Sequence, residues 1–416
     1  MTVLLGGALL IKPALAISQL AIDVEKSWQQ GAAVVHSPVW APLFGWNDRK
    51  RITVTGSVDG PLTPHRKPIT VHYGAGVDGG DHVYLNYKCL PDFGDIRFAN
   101  NAGVNLPYWV ESYTTGVSAS MWVRFDSIPA SPGTVDIWVY FNNSAGLSAS
   151  DGAATFIKFE GWERGVNGSP ITLAGGSMVW TEDHVGDAVI STEQAYGGTR
   201  SAKIFRDTHA PNGSYIRSAV PWSVNQSVRW RLYKKALTGG VRFWHGTVAY
   251  CVDLEISADG SIWYTNGAEV LVNTGFDIAL NAWVLLEIND FTGTTFDLWL
   301  NGVRICDNIQ LRNQPWVNNQ VSFGNYDVVA AHDYYMDEFL VRNWTPNEPT
   351  FSSYGPDEPY EIFYGITSLK ELAAAMIKGD ILFSDGAILA RRASGPIGSI
   401  LTTHDVGADP TWTYPP

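Results

Sequence analysis

The sequence predicts an all-β protein of two consecutive antiparallel β-sandwiches. An apolar arm precedes them, and a short helix and a glycine-rich oligomerising tail follow. Three observations carry this expectation. The first is the stretch from Val252 to Cys306. Val252-Asp-Leu-Glu-Ile-Ser257 alternates apolar and polar residues, and Asp259-Gly260 turns it into Ser261-Ile-Trp-Tyr264. Trp283 to Asn289 repeats the pattern, Thr292-Gly293 leads into Thr295 to Leu300, and Asn301-Gly302 turns the chain into Val303 to Cys306. Glycine after Asp or Asn supplies the positive φ of a tight hairpin, so the stretch reads as an antiparallel meander. Such a meander is wet on one face and apolar on the other, and a second sheet must cover the apolar face. The second observation is composition. Charged residues make up 17% of the chain, beside 17 Trp, 18 Tyr, 17 Phe and 41 Gly, which suits short strands and tight turns. The third is the same alternation earlier in the chain, in Arg51 to Thr55, Pro68 to Tyr73, Ala119 to Phe125 and Thr134 to Phe141.

The length of 416 residues allows two or three domains with cores of their own. A formal charge of −13 argues against a nucleic-acid surface, which needs clustered Lys and Arg. Cys89, Cys251 and Cys306 are far apart and odd in number. They read as free thiols, although a Cys251–Cys306 bridge is open to a sandwich, and this usage leans towards a reducing compartment.

Residues 1–45 form the arm. Leu4, Leu5, Leu9, Leu10 and Ile11 lead to Ala14-Leu-Ala16, which mimics a signal peptide without its basic start. A retained assembly arm and a cleaved export signal both remain open. No run is long enough for a comfortable membrane span.

Residues 46–155 form the first sandwich. Its landmarks are Trp46 and Arg51-Ile-Thr-Val54, then Gly94 to Phe98, Gly103 and Pro107-Tyr-Trp-Val-Glu111. Met121 to Arg124, Ile137 to Asn143 and Ala149 to Gly152 follow. This order resembles a widespread microbial β-sandwich domain of unassigned function, found beside lectin-like domains in surface proteins. The resemblance implies no catalytic residue.

Residues 156–346 form the second sandwich. Phe159-Glu-Gly-Trp162, Gly197 to Phe205, the meander and Tyr334 to Arg342 together resemble the concanavalin A-like jelly rolls of lectin, laminin-G-like and carbohydrate-binding modules. The resemblance implies glycan binding. It also implies a structural calcium ion (Ca2+) held by Glu160 and Asp337 with backbone carbonyls. Read from the residues alone, Asp337 and Glu338 are ordinary strand-edge carboxylates.

Residues 347–360 read as a linker rich in Pro and turn formers. Residues 361–416 form the tail. Thr367 to Lys378 predicts a helix with a Ser368/Glu371 capping box and Leu369, Leu372 and Met376 on one face. Ile381, Leu382, Leu389, Ile400, Leu401 and Trp412 lie in short runs broken by glycines, and one copy has too few apolar side chains to bury them. Gly379-Asp-Ile-Leu382, Leu389-Ala-Arg391, Leu401-Thr402 and Pro410-Thr-Trp412 resemble segments of bacteriophage tail-fibre proteins, where three chains wrap together. The resemblance implies a homotrimer in a virion assembled in the host cytoplasm, with other virion proteins and host-surface glycan as partners. A capsid decoration or head-fibre protein fits the same residues. So does a secreted or cell-surface bacterial glycan-binding or glycan-cleaving protein, should residues 1–16 be removed.

Retaining glycosidases on concanavalin A-like sandwiches commonly carry Glu-x-Asp-x-x-Glu on one strand, which sets two carboxylates on one face. No Glu here starts that pattern. Asp253 and Glu255 share a face and read as solvated carboxylates on the wet side of their strand. No Gly-x-Ser-x-Gly, His-Glu-x-x-His or phosphate-cradling loop is present. The expectation is a protein that is not an enzyme. Glycan binding needs only an aromatic plate and a few polar groups. Trp263 or Tyr264, which point to opposite faces of one strand, and Trp244 with His245 are the candidates.

Overall fold

The computed structural model describes residues 43, 45–173, 178–182, 188–205, 215–220, 223–235, 239–246, 251–312, 320–325 and 333–359, with four short strands between 381 and 413. The first sandwich contains β1 (Asp48–Thr55), β2 (His65–His72), β3 (His82–Tyr84), β4 (Arg97–Asn100), β5 (Asn105–Leu106), β6 (Tyr108–Thr114), β7 (Ser118–Phe125) and β8 (Thr134–Phe141). Alternation decides its core. Ile52 and Val54 of β1, Ile69 and Val71 of β2, Met121 and Val123 of β7, and Ile137 and Val139 of β8 all meet between the sheets. β2 and β3 pair in parallel, the one departure from antiparallel pairing among the described strands. A helical turn, α1 (Gly152–Thr155), follows; Asp151 caps it by accepting from the Ala154 N–H at 3.0 Å.

The second sandwich begins with β9 (Lys158–Glu160), β10 (Trp180–Glu182), β11 (Ala188–Ser191), β12 (Ser201–Phe205) and β13 (Tyr215–Ala219). It continues through β14 (Gln226–Lys234), β15 (Val241–His245), β16 (Val252–Ile256), β17 (Ser261–Thr265) and β18 (Leu271–Asp277). β19 (Trp283–Asn289), β20 (Thr295–Leu300), β21 (Val303–Gln310), β22 (Gln320–Asn325) and β23 (Asp333–Asn343) complete it. One sheet runs β10-β13-β22-β15-β16-β17-β18, and the other β11-β12-β23-β14-β19-β20-β21 with β9 on β23. The stretch expected as one meander is therefore divided. β16 to β18 lie in the first of these sheets and β19 to β21 in the second, so each half covers the apolar face of the other. The turns themselves are as expected: Gly260, Gly293, Asn301 and Gly302 all have positive φ.

The stretch read as a linker is a strand. β24 (Thr350–Pro359) pairs antiparallel with β1 from Thr55↔Thr350 to Asp48↔Pro359, and Phe351 enters the first core. It forms the edge of the sheet β24-β1-β8-β4-β5, where proline is tolerated because its missing N–H faces away from the ladder. The first sandwich is thus made from residues on both sides of the second. Trp109, Trp122, Phe156, Phe159 and Leu340 form a separate apolar cluster joining the two.

In the tail, β25 (Ile381–Ser384) pairs with β26 (Leu389–Arg392), and β27 (Ile400–Thr402) with β28 (Thr411–Thr413). Ile381 and Leu382 thus sit on one hairpin opposite Arg392 and Arg391, Leu389 opposite Ser384, Ile400 opposite Thr413, and Leu401 opposite Trp412. The arm up to residue 42 and the helix carrying Leu369, Leu372 and Met376 lie outside the described residues. Among the described residues no helix is long and apolar enough to cross a membrane.

Candidate functional site

Two arrangements stand out, one on a sheet face and one at the junction of the sandwiches. In β15, Val241 and Phe243 enter the core, so Arg242 and Trp244 face outwards; in β16, Val252, Leu254 and Ile256 enter it, so Asp253 and Glu255 face outwards. Cross-strand pairing then builds one continuous row over the sheet: Tyr215, Gly324, Arg242, Glu255, Trp263 and Asn273. Trp244 lies beside this row, opposite Asp253 on one side and Ser322 on the other. Its ring meets Tyr215 edge-on at 5.5 Å between centroids. Trp244 and Trp263 are two strands apart, about 10 Å across the sheet. Both are half-buried, which leaves indole surface to stack on a ligand.

The expected residues divide two and two. Trp263 is the outward member of its pair. Tyr264 packs against the core, and His245 is fully buried on the inner face, so neither belongs to the outer surface. Asp253 is also not the solvated carboxylate that alternation suggested. Its side chain is completely buried. Its Oδ1 and Oδ2 accept from Arg242 Nε and Nη2 at 2.6 Å each, and Oδ2 also accepts from Arg312 Nη1 at 2.6 Å. Burial pushes the Glu255 carboxyl up from its ordinary value against the opposing pull of Arg242. Arg242 shares the i, i+2 spacing with Trp244, a signal that sequence reading could have used. Arg312 comes from 59 residues beyond Asp253 and left no local sign.

The second arrangement is a cleft of about 360 Å³ between the sandwiches. Trp109, Glu111 and Asp151 from one side and Glu160, Glu163, Asp337 and Glu338 from the other line it. A β-bulge sets the last two. Arg229 pairs with Leu340 but Arg231 with Asp337, so Trp230 opposes two residues, and Glu338 takes φ 47°. Met336 and Phe339 consequently both reach the core, and the adjacent carboxylates are both kept out of it. Asp337 Oδ2 accepts from the Tyr196 and Gly197 N–H groups at 2.9 and 3.2 Å, and Oδ1 from the Glu338 N–H at 2.8 Å. Glu338 Oε2 meets Arg231 Nε at 3.4 Å, and its Oε1 is buried without a hydrogen-bond partner. Burial pushes both carboxyls up to about 8.

Glu160 and Asp337, the two carboxylates expected to hold calcium, both line this cleft. Both Asp337 oxygens are nevertheless occupied by backbone N–H groups. Among the described residues, no three His, Cys, Asp or Glu side chains converge at metal-binding distance.

Fold and surface together define an all-β protein of two joined sandwiches, the second with an aromatic and charged outer face. A family model described as a domain of unknown function (DUF2341) matches residues 92–181, from within the first sandwich to β10. No curated protein matches the chain. Among solved structures, it is similar to a sialidase at 13% identity and TM-score 0.35, over 50% of this chain and 20% of the sialidase. The chain thus spans about a fifth of that sialidase. It is also similar to the cellulose induced protein Cip1 (12%, TM-score 0.32, 39% of this chain and 90% of that one). A third is a conserved carbohydrate esterase from the Shiga toxin-encoding bacteriophage phi24B (13%, TM-score 0.32, 40% and 90%).

Proposed function

We propose that this chain is a non-catalytic structural protein of a bacteriophage particle, a tail-fibre or tail-tip component that binds host-surface glycan through the outer face of its second sandwich. The observation that carries the reading is the shared exposure of Trp244 and Trp263 on one sheet, beside a carboxylate–guanidinium cluster able to bind sugar hydroxyls. The order of motifs in the tail supports the virion role, with assembly in the host cytoplasm and other virion proteins as neighbours. The tail also supports a homotrimer. Its two hairpins are two-stranded, and a two-stranded hairpin is marginal unless another surface covers it. Calcium enters this reading only as a structural occupant of the junction cleft.

A glycan array on the full chain tests the binding role. Trp244→Ala and Trp263→Ala should each remove the bound sugars while leaving the near-ultraviolet circular dichroism of a folded sandwich. Binding that survives both substitutions removes the outer face from the reading. Light scattering should give three times the 45.6 kDa chain mass, and a monomer removes the trimer.

A further inference from the structure

The outer face of the sheet β3-β2-β7-β6 in the first sandwich carries an inference separate from the glycan face. In β2, Ile69 and Val71 enter the core, so Thr70 and His72 face outwards; in β3, Val83 enters it, so His82 and Tyr84 face outwards. The parallel register sets Thr70 beside His82 and His72 beside Tyr84. His72 and His82 are therefore diagonal neighbours on one face, and His72 Nε2 lies 2.9 Å from His82 Nδ1. His82 is exposed and His72 half-buried. The other described histidines are placed differently. His65 is buried against Glu348, and His245 is buried on the inner face of the second sandwich.

Two imidazole nitrogens at this separation hold one hydrogen between them, one ring donating and the other accepting. When the donor ring takes its other tautomer, both nitrogens present lone pairs to the same small space, and a metal ion can take the place of the hydrogen. Tyr84 stacks on the His72 ring at 4.2 Å between centroids and 8° between planes, and so fixes the plane of one ligand as outer-shell groups do at metal sites. The two imidazoles meet nearly end to end, with centroids 5.1 Å apart. The exposed His82 ring is therefore the one that tilts to bring both lone pairs onto a common point.

The separation selects the metal. Nitrogens bound to one ion at about 2.0–2.1 Å stand about 2.9 Å apart at the right angle of a square-planar site, and about 3.3 Å apart at a tetrahedral angle. The 2.9 Å between His72 and His82 matches the first. Imidazole ligands in square-planar geometry suit copper(II) and nickel(II), and copper(II) binds such a set most tightly. Two protein ligands leave the remaining positions to water, so the ion is exchangeable. Thr70, and Ser118 opposite His72 on β7, offer hydroxyls to those waters.

We propose that His72 and His82 form a surface site for a divalent transition-metal ion, copper(II) foremost, bridging β2 and β3.

Isothermal titration of the full chain with copper(II), nickel(II) and zinc(II) chlorides tests the site, together with the electron paramagnetic resonance spectrum of the protein carrying one equivalent of copper(II). The copper spectrum should show splitting from two imidazole nitrogens, and zinc(II) should bind more weakly than copper(II). His72→Ala and His82→Ala should each weaken copper binding by about ten-fold or more, at least the cost of losing an outer-shell partner. His82→Gln, which keeps a polar side chain at this exposed position without a ring nitrogen, should do the same. Comparing each variant with the unaltered chain subtracts the contribution of the other histidines. Copper binding unchanged in His82→Ala and His82→Gln overturns the proposal, as does the absence of saturable binding to the folded protein or zinc(II) binding more tightly than copper(II). The glycan array is read without added metal, so failure here leaves the glycan face standing and the converse also holds.

Discussion

Glu111 of the first sandwich accepts a hydrogen bond from Arg231 of the second at 2.7 Å, and Arg229 donates to the same carboxylate oxygen. Trp122 Nε1 donates to the other oxygen at 2.9 Å. Burial alone would raise this carboxyl; the two guanidinium groups outweigh it and hold the group below its ordinary value. Glu111→Ala leaves two nearly buried arginines facing one another. We expect a loss of about 3 kcal/mol, read by urea unfolding, because removing one member of a buried ion pair strands the rest. A loss within about 0.5 kcal/mol would mean that the apolar cluster around Phe156 alone holds the junction.

Stability should depend on pH with two opposite signs. Burial would raise Glu348, but Arg342 and His65 bring it down to about 2. A depressed carboxyl contributes stability above its unfolded value, and that contribution disappears as pH falls towards 2. Asp337 and Glu338 are raised to about 8, so their contribution is complete below the ordinary carboxyl range and is lost as pH rises through 8. Calorimetry should therefore show the melting temperature declining between pH 5 and 9. Glu338→Gln should flatten that decline, and an unchanged slope would count against the raised carboxyl.

Asp253 positions rather than stacks. Asp253→Asn would leave Arg242 and Arg312 without their common anion, both of them about a fifth exposed. We expect a cost of about 2 kcal/mol and a loss of glycan binding despite intact Trp244 and Trp263, measured by thermal melting and on the array.

Gly56 lies against the backbone of the loop before β8. A Cβ at this position would stand 1.7 Å from the Pro129 carbonyl oxygen, which cannot swing aside as a side chain can. Gly56→Ala should cost about 3 kcal/mol or more by urea unfolding.

Truncation separates strand from tail. Ending the chain after Pro359 keeps β24 on β1 and should yield folded, unassembled protein in light scattering. Ending it after Pro346 removes β24 and uncovers β1, and should lower the melting temperature of the first sandwich or bring aggregation through the bared edge.

The turns and alternating runs were readable because they are local properties. Asn301-Gly302 needs only its own φ angles, and Ile52 with Val54 needs only a period of two. Partners distant in sequence were not readable. The sheet to which β16 or β19 belongs is decided by strands far away, and Phe351 enters a core whose other residues end at Phe141. The Pro and Gly content of β24 hid an edge strand, since an edge tolerates what a central strand rejects. The outward Trp263 was one of two alternatives that alternation allowed. Choosing it required the position of the core, and the burial of Asp253 required Arg312. The cleft had no sequence sign, because it exists only where Glu111 meets Glu338.

The rung joining Asp48 to Pro359 has a mechanical result. The polypeptide enters and leaves the paired sandwiches at neighbouring points, so tension between the two flanking segments pulls on β1 and β24 from the same end. The load opens that pair rung by rung, beginning at Asp48, and everything from Lys158 to Asn343 stays off the line of force until the pair has parted. A glycan held on the second sandwich would thus be insulated from stress carried along the backbone.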